Sequence, residues 1–116
     1  MTETTTIATV LHPVTDLATA TRVYTTLLGV EPSTEGPYYV GFDTADQHIG
    51  LVPGGGPQGM TAPVVYWRVP DITARLTELT AAGATVTEPA HEVGGGRRVA
   101  TVTDTDGNVL GLLQDD

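Results

Sequence analysis

Apolar residues recur along the chain with two different spacings, which predict strands alternating with helices. The stretch from Ile7 to Leu11 is rich in β-branched residues and predicts a strand. After Asp16 the apolar residues follow at helical spacing, so we expect a helix that is capped by Asp16 and ends at Gly29. The residues that form its predicted buried face are Leu17, Ala20, Val23, Tyr24, Leu27 and Leu28.

The rest of the first half predicts a loop and two strands. Residues 31–37 contain Pro, Ser and Gly and are expected to form the loop. Strands are predicted over 38–43 and 47–52, with a short polar turn between them. The glycine-rich stretch over 53–59 then predicts a flexible connector.

The second half predicts the same order of elements. A strand is expected over 63–69, followed by a helix that is capped by Asp71 and ends at Gly83. Three strands are then expected over 85–92, 98–103 and 109–113, and Asp106-Gly107 predicts the turn between the last two.

Two short matches show that the halves are copies of each other. Val14-Thr-Asp16-Leu17 matches Val69-Pro-Asp71-Ile72, and each segment opens a predicted helix. His48-Ile-Gly50-Leu51 matches Val109-Leu-Gly111-Leu112. One such unit is too short to cover its own sheet, so two are expected to combine. We predict a single domain over 1–116, with module 1 at about 1–53, a linker at about 53–62 and module 2 at about 63–116.

Composition narrows the function classes. The 116 residues include 14 acidic and 5 basic ones, giving a net charge of −9, and no lysine is present. This balance argues against nucleic acid, since binding phosphates requires clustered Lys and Arg. The absence of cysteine excludes disulfide frameworks and thiolate zinc sites. No apolar run is long enough for a signal peptide or a membrane span, so we expect a cytoplasmic protein without a membrane partner.

Three motifs together resemble one known family. The Val-x-Asp-Leu helix start, the Leu28-Gly29-Val30 helix end and the Asp104-Thr-Asp-Gly-Asn108 segment are similar to those of the vicinal oxygen chelate superfamily. This superfamily contains glyoxalases, extradiol dioxygenases, fosfomycin-modifying enzymes and bleomycin-binding resistance proteins. The resemblance spans nearly the whole chain. It implies an α+β fold of two tandem βαβββ modules that form a U-shaped mixed sheet, with the helices on the convex side. It also implies a site on the concave face and, by similarity to the drug-binding members, a homodimer.

The resemblance also indicates where a metal would be bound. In metal-dependent members, His, Glu or Gln ligands come from four strand positions, which correspond here to Thr9, Gly50, Val64 and Gly111. None of these side chains is a usual ligand of a divalent ion, so neither a metal nor another cofactor is expected. Glycine within a strand indicates a close approach of other atoms. Gly50 and Gly111 therefore either open a cavity for a ligand or allow tight packing, and the sequence leaves both alternatives open.

Strand alternation extends this set of positions. His48 is expected on the same face as Gly50, and Tyr66 and Arg68 on the same face as Val64. The residues predicted to bind a ligand are Thr9, His48, Gly50, Val64, Tyr66, Arg68 and Gly111, and no catalytic residue is assigned. The acidic composition favours a cationic ligand, and Tyr66 favours a planar aromatic one.

Other polar residues are interpreted as structural or solvated. His12 is expected on the helix-facing side of its strand, in a structural role. Alternation places His91 and Glu92 on opposite faces, so Glu88, His91 and Glu92 are expected to be exposed to solvent. The segment from Asp104 to Asn108 has the wrong glycine spacing for a calcium loop and predicts a hairpin turn.

Two functions from different classes are consistent with these observations. The first is a metal-independent small-molecule-binding protein of the glyoxalase/bleomycin resistance type, acting in antibiotic sequestration. The alternative is a glyoxalase-like lyase, isomerase or dioxygenase. Such an enzyme would bind a divalent metal at displaced ligands, such as His48 with Glu88 or His91. Metal analysis of the purified protein would distinguish them.

Overall fold

The computed structural model describes residues 5–56 and 59–115, which form two α-helices and eight β-strands. The helices are α1 (Leu17–Leu28) and α2 (Ile72–Ala81). The strands are β1 (Thr6–Val14), β2 (Thr34–Glu35), β3 (Val40–Asp43), β4 (His48–Pro53), β5 (Val64–Arg68), β6 (Thr85–Gly94), β7 (Arg97–Thr103) and β8 (Val109–Gln114). This order is βαβββ twice, so the predicted α+β class with two tandem modules is confirmed.

The contacts divide the chain into two compact units that do not coincide with its two halves. The first-half unit is Thr9–Val64, and the second-half unit combines residues up to Ala8 with the chain from Val65 onward. The start of β1 thus groups with the second module, a division that the sequence did not indicate.

The first-half unit has strand order β2-β3-β4-β1, with β1 parallel to β4 and the other pairs antiparallel. Helix α1 begins as predicted, because the Asp16 carboxylate accepts a hydrogen bond from the Thr19 backbone N–H. It ends at Gly29, whose φ of 72° is in the left-handed region that favours glycine. The core residues contributed by the strands are Val40, Phe42 and Leu51, and the residues packed against them include Leu17, Ala20, Tyr24 and Leu28.

The second-half unit repeats this design with strand order β5-β8-β7-β6, in which β5 is parallel to β8. The Asp71 carboxylate caps α2 by accepting a hydrogen bond from Ala74 N–H. The Gln114 side-chain oxygen accepts a further bond from Ile72 N–H at 2.7 Å. The core between α2 and its sheet comprises Val69, Ile72, Ala100, Val102 and Leu112.

The structure corrects the prediction at several places, and the strand predicted over 38–43 begins only at Val40. Residues 31–37 are not entirely loop, because Thr34–Glu35 pairs with β3 as the short strand β2. The packed stripe of α1 is narrower than expected, since Val23 is 56% and Leu27 71% exposed. Neither helix in the described ranges has the length and apolar character required to cross a membrane.

Candidate functional site

In the first-half unit, three predicted residues lie side by side on one face of the sheet. Parallel pairing of β1 with β4 aligns Thr9 with His48 and Leu11 with Gly50. Ile49 packs instead toward the cluster under α1, as strand alternation predicted. Thr9, His48 and Gly50 therefore share the face opposite α1.

His48 is the centre of a hydrogen-bonded chain of three side chains, the Asp43–His48–Tyr39 chain. His48 Nδ1 lies 2.8 Å from Asp43 Oδ1, and His48 Nε2 lies 2.5 Å from the Tyr39 hydroxyl. The two rings are nearly parallel, with planes 10° apart and centroids separated by 5.9 Å. The His48 side chain is 26% exposed and that of Asp43 is 67% exposed. The Asp43 end of this hydrogen-bonded chain is therefore in solvent, and His48 at its centre is partly buried.

The β3–β4 hairpin brings Asp43 and His48 together. Thr44 N–H donates to the Gln47 carbonyl at 2.9 Å, which closes the turn. Asp43 is then directly opposite His48 in the antiparallel register. Two glycines provide room for the rings: a Cβ at Gly41 would lie 2.5 Å from His48 Cε1, and one at Gly50 would lie 2.8 Å from Tyr39 Cε1.

The pKa of the Asp43 carboxyl is below its usual value. The main cause is the hydrogen bond from His48, and a hydrogen bond from Ser33 contributes further. Asp43 is therefore ionised at neutral pH and orients the imidazole as the carboxylate of a catalytic triad does.

In the second-half unit, Tyr66 and Gly111 are register partners on β5 and β8. Tyr66 is only 6% exposed, and burial raises the pKa of its hydroxyl, with a smaller contribution from the Glu88 charge. Trp67 and Val69 line the side of the sheet that faces α2, so the alternation predicted for β5 is confirmed. Because its ring is buried, Tyr66 offers little surface for the stacking expected from the sequence.

The second-half unit also brings together two residues that were expected to be separately solvated. His91 Nε2 lies 3.4 Å from Glu88 Oε1, and their side chains are 44% and 32% exposed. Strict alternation would place residues three apart on opposite faces. The pairing of β6 with β7 shifts register between Glu88 and His91, and this irregularity accounts for the contact.

The two remaining predicted residues occupy different surroundings. The Arg68 guanidinium donates to Asp115 at 3.0 Å, and Arg97 donates to the other oxygen of the same carboxylate at 2.7 Å. Hydrogen bonds from Arg97 first, and then from Arg68, lower the pKa of Asp115. Arg68 is thus engaged in an exposed ion-pair network. Val64 is buried and apolar.

The donor set does not fit a divalent metal. No group of three or more His, Asp or Glu side chains converges anywhere in residues 5–56 and 59–115. Glu88 with His91 supplies two donors, whereas a zinc site in a protein needs at least three. The strand positions Thr9, Gly50, Val64 and Gly111 offer no carboxylate or imidazole.

A separate small cavity lies on the α2 side of the second-half unit. Its volume is about 130 Å³ and its walls are mainly apolar, including Trp67, Leu79 and Leu110. Arg75 lies at its edge and donates to the Thr5 hydroxyl at 2.9 Å. Of the predicted ligand-binding residues, only Gly111 contributes to this lining.

The profile of the Glyoxalase/Bleomycin resistance protein/Dioxygenase superfamily matches residues 6–112. The chain belongs to this superfamily. The resemblance inferred from the Asp16 and Asp71 helix starts is thereby confirmed. No curated protein sequence matches the chain.

Several solved structures share this fold at low sequence identity. A hypothetical protein from Bacillus halodurans C-125 superposes with a TM-score of 0.80 at 13% identity, covering 98% of this chain and 96% of that one. A superfamily member from Vibrio splendidus 12B01 superposes with a TM-score of 0.72 at 19% identity, covering 97% of this chain and 100% of that one. Methylmalonyl-CoA epimerase from Mycobacterium tuberculosis superposes with a TM-score of 0.71 at 18% identity, covering 96% of this chain and 88% of that one. At such identities the similarity establishes the fold alone.

Two members of the Asp43–His48–Tyr39 chain were not predicted from the sequence. Asp43 could have been found, because residues equidistant from a predicted turn are opposite each other in a hairpin. Tyr39 belongs to the strand predicted over 38–43, whereas β3 begins at Val40. Alternation along the predicted strand would have placed Tyr39 on the same face as Asp43.

Proposed function

We propose that this superfamily member binds a small organic molecule without a divalent metal, on the sheet face of the first-half unit that carries His48. The observation that carries the proposal is the Asp43–His48–Tyr39 chain. These side chains lie opposite the helix-packed core, which is formed by Val40, Phe42 and Leu51. Polar groups oriented on rigid strands are the usual means of fixing a ligand.

The composition supports a cationic ligand. With a net charge of −9 the protein raises the local concentration of cations. On this basis the function is sequestration of an antibiotic of that kind, in the cytoplasm and by a homodimer. Light scattering of the purified protein tests the dimer, and protection of cells that express the chain tests sequestration.

A titration with a panel of cationic aromatic antibiotics tests ligand binding. His48→Gln should weaken binding about tenfold, which corresponds to about 1.4 kcal/mol. His12→Gln is the matched control, because His12 contacts Tyr24 of α1 on the opposite face of the sheet. Chelators should leave the affinity unchanged. Equal binding by both variants, or binding that requires added metal, would overturn the proposal.

The hydrogen-bonded Asp43–His48–Tyr39 chain also favours a second candidate, a metal-free lyase or isomerase. An imidazole oriented by a carboxylate and bonded to a phenol can transfer a proton. The neighbouring Mycobacterium tuberculosis protein is an epimerase, so methylmalonyl-CoA is a reasonable first carbon acid to assay. Under this candidate, wild type exchanges the substrate proton for deuterium in D₂O, and Tyr39→Phe does not. If carbon acids bind but exchange no proton, the enzymatic candidate is wrong and only the binding function remains.

A further inference from the structure

The cavity on the α2 side of the second-half unit is bounded by one helix and two strands. Arg75 and Leu79 are four residues apart on α2 and therefore lie on the same side of the helix. Trp67 of β5 and Leu110 of β8 contribute the wall on the sheet. Thr5, directly before β1, completes the edge next to Arg75. These residues all belong to one compact unit, so the cavity lies within that unit.

The size of the cavity suits a single six-membered ring. Its volume is about 130 Å³, and an apolar cavity of roughly 150 Å³ is large enough to bind benzene. Because its walls are mainly apolar, the atoms that line it would gain van der Waals contacts from a ligand. The cavity is only partly enclosed, which gives a small molecule a route of entry. The walls therefore favour an apolar molecule of about the size of one ring.

The polar edge of the cavity presents hydrogen-bond donors. The Arg75 guanidinium can only donate, and its Nη1 donates to the Thr5 hydroxyl at 2.9 Å. Thr5 uses an oxygen lone pair in that bond, so its own hydroxyl hydrogen is left to donate. Within residues 5–56 and 59–115 no acceptor takes this hydrogen or the hydrogens of Arg75 Nη2. A ligand that reaches this edge is therefore expected to present an acceptor.

The positive charge at this edge is already balanced. Arg75 Nε lies 3.2 Å from Glu78 Oε1, and the two side chains are 33% and 70% exposed. An anionic ligand would compete with Glu78 and would bring its charge toward apolar walls, which is costly. The net charge of −9 also disfavours the approach of an anion. An uncharged acceptor such as a carbonyl group is therefore favoured over a carboxylate.

We propose that this cavity is a second binding site, and that it takes an uncharged molecule with one six-membered ring and a carbonyl group. The ring lies against Trp67, and the carbonyl oxygen accepts hydrogen bonds from Arg75 and Thr5. This site goes beyond the proposed function, because the cavity belongs to the second-half unit and His48 to the first-half unit. Failure of either proposal therefore leaves the other standing.

Cyclohexanone and methylenecyclohexane test the site as a matched pair. They have the same ring and nearly the same shape, but only cyclohexanone has an oxygen that accepts hydrogen bonds. Trp67 is the single tryptophan of the chain, so one indole N–H resonance in a ¹H–¹⁵N spectrum reports on the cavity. Cyclohexanone should shift this resonance saturably, with half-saturation in about the millimolar range. If neither probe produces a saturable shift, the proposal is overturned.

Arg75→Met tests the contribution of the donors. Methionine keeps an unbranched side chain and a good helix former on α2, but it removes the guanidinium. The preference for cyclohexanone over methylenecyclohexane should fall about tenfold in this variant. Arg22→Met is the matched control, because it removes one positive charge from α1 of the other unit and should leave the preference unchanged. Circular dichroism verifies the fold of both variants. The same preference in wild type and Arg75→Met would overturn the carbonyl assignment.

Leu79→Phe tests the location of the site. The larger side chain extends the helix wall into the cavity and should weaken the binding of both probes at least about tenfold. Leu110→Phe fills the same space from β8 and takes its place if Leu79→Phe does not fold. Undiminished binding by a folded filling variant would show that the probes bind elsewhere and would overturn the proposal.

Two further measurements test the ligand class and the independence of the site. Cyclohexanecarboxylate should bind more weakly than cyclohexanone, and the reverse order would overturn the uncharged class. His48→Gln should bind cyclohexanone as wild type does. Loss of cyclohexanone binding in that variant would assign the probe to the His48 face and would overturn the second site.

Discussion

The ring of Tyr66 occupies the space that a side chain at position 111 would need. The two residues are opposite each other on β5 and β8, and a Cβ on Gly111 would lie 2.5 Å from Tyr66 Cδ2. In the first-half unit, a Cβ on Gly50 would lie 2.7 Å from Leu11 Cδ2 and 2.8 Å from Tyr39 Cε1. Both glycines therefore leave room for side chains of neighbouring residues, which favours the tight-packing alternative over the open cavity.

The first prediction concerns Gly111→Ala, which should destabilise the fold. The added methyl group would overlap a buried ring, and overpacking of this kind costs about 1–3 kcal/mol. Gly36→Ala is the control, because its Cβ would meet only the Tyr39 carbonyl, at an ordinary 3.6 Å. Urea unfolding of both variants measures the difference.

The reason for this effect can be isolated with a double-mutant cycle. Tyr66→Ala removes the ring that the new methyl group would meet, so Gly111→Ala should cost much less in the Tyr66→Ala background. If the losses of unfolding free energy from the two substitutions are additive, the packing explanation is wrong and the space beside Gly111 is open.

The second prediction concerns the pH dependence contributed by Asp43. Its pKa is lowered on folding from the ordinary value of 3.8, mainly by the hydrogen bond from His48. A carboxyl with a depressed native pKa adds stability above its unfolded pKa, and this stability is lost as the pH falls through the native pKa. Asp43→Asn should therefore be less stable than wild type at pH 7, and the difference should shrink below about pH 3.8.

Urea unfolding at several pH values measures this difference. Asp46→Asn, in the same β3–β4 turn, is the control, because no hydrogen bond or ion pair joins its carboxylate to another described residue. A difference between wild type and Asp43→Asn that is the same at pH 7 and pH 3 would show that the effect is not linked to ionisation of Asp43.

The sequence predicted most of the fold because local signals agreed with the tertiary arrangement. Asp16 and Asp71 cap the two helices as expected, and residues 66 and 67 alternate between the two faces of β5. The β2 strand was missed because two residues are too few to show a period. The Glu88–His91 pair was missed because strict alternation was assumed, although Pro89 between the two residues is typical of a bulge or an edge strand.

The candidate site was less predictable, since its contacts depend on tertiary packing. His48 was identified from strand alternation, but its partner Tyr39 lies outside any strand. The sequence left open whether Gly50 provides a cavity or allows tight packing, because it could not indicate that the Tyr39 ring lies beside this glycine. Whether Thr9, Val64, Tyr66, Arg68 and Gly111 contact a ligand stays a prediction.

The third prediction concerns the turn between β7 and β8. Asp104 Oδ1 accepts hydrogen bonds from the backbone N–H groups of Asp106 and Asn108, each at 2.9 Å. Asp104→Ala removes both bonds and should lower the thermal midpoint by several degrees, while Asp104→Asn retains an acceptor and should lower it less. Scanning calorimetry measures both shifts. Equal shifts would contradict the role of the Oδ1 acceptor.

The fourth prediction is that Zn²⁺, Ni²⁺ or Mn²⁺ will not raise the thermal midpoint. Only binding to the native state stabilises it by mass action, and the described residues contain no convergent set of three donors. A thermal-shift assay on chelator-treated protein, with each metal added at micromolar concentration, measures the effect. A reproducible increase of several degrees would show that a metal site exists and would favour the enzyme alternative.

The last prediction compares two adjacent leucines of α1. Leu28 packs against the cluster of Val40, Phe42 and Leu51, whereas Leu27 is 71% exposed. Leu28→Ser should lower the free energy of unfolding by about 2 kcal/mol, and Leu27→Ser should change it by less than about 0.5 kcal/mol. Urea unfolding at low protein concentration measures both, and light scattering of the same samples tests the proposed homodimer. If Leu27→Ser costs as much as Leu28→Ser and also dissociates an assembly, the exposed side of α1 is a subunit interface. A cost without dissociation would mean that Leu27 packs within the chain, contrary to the structure.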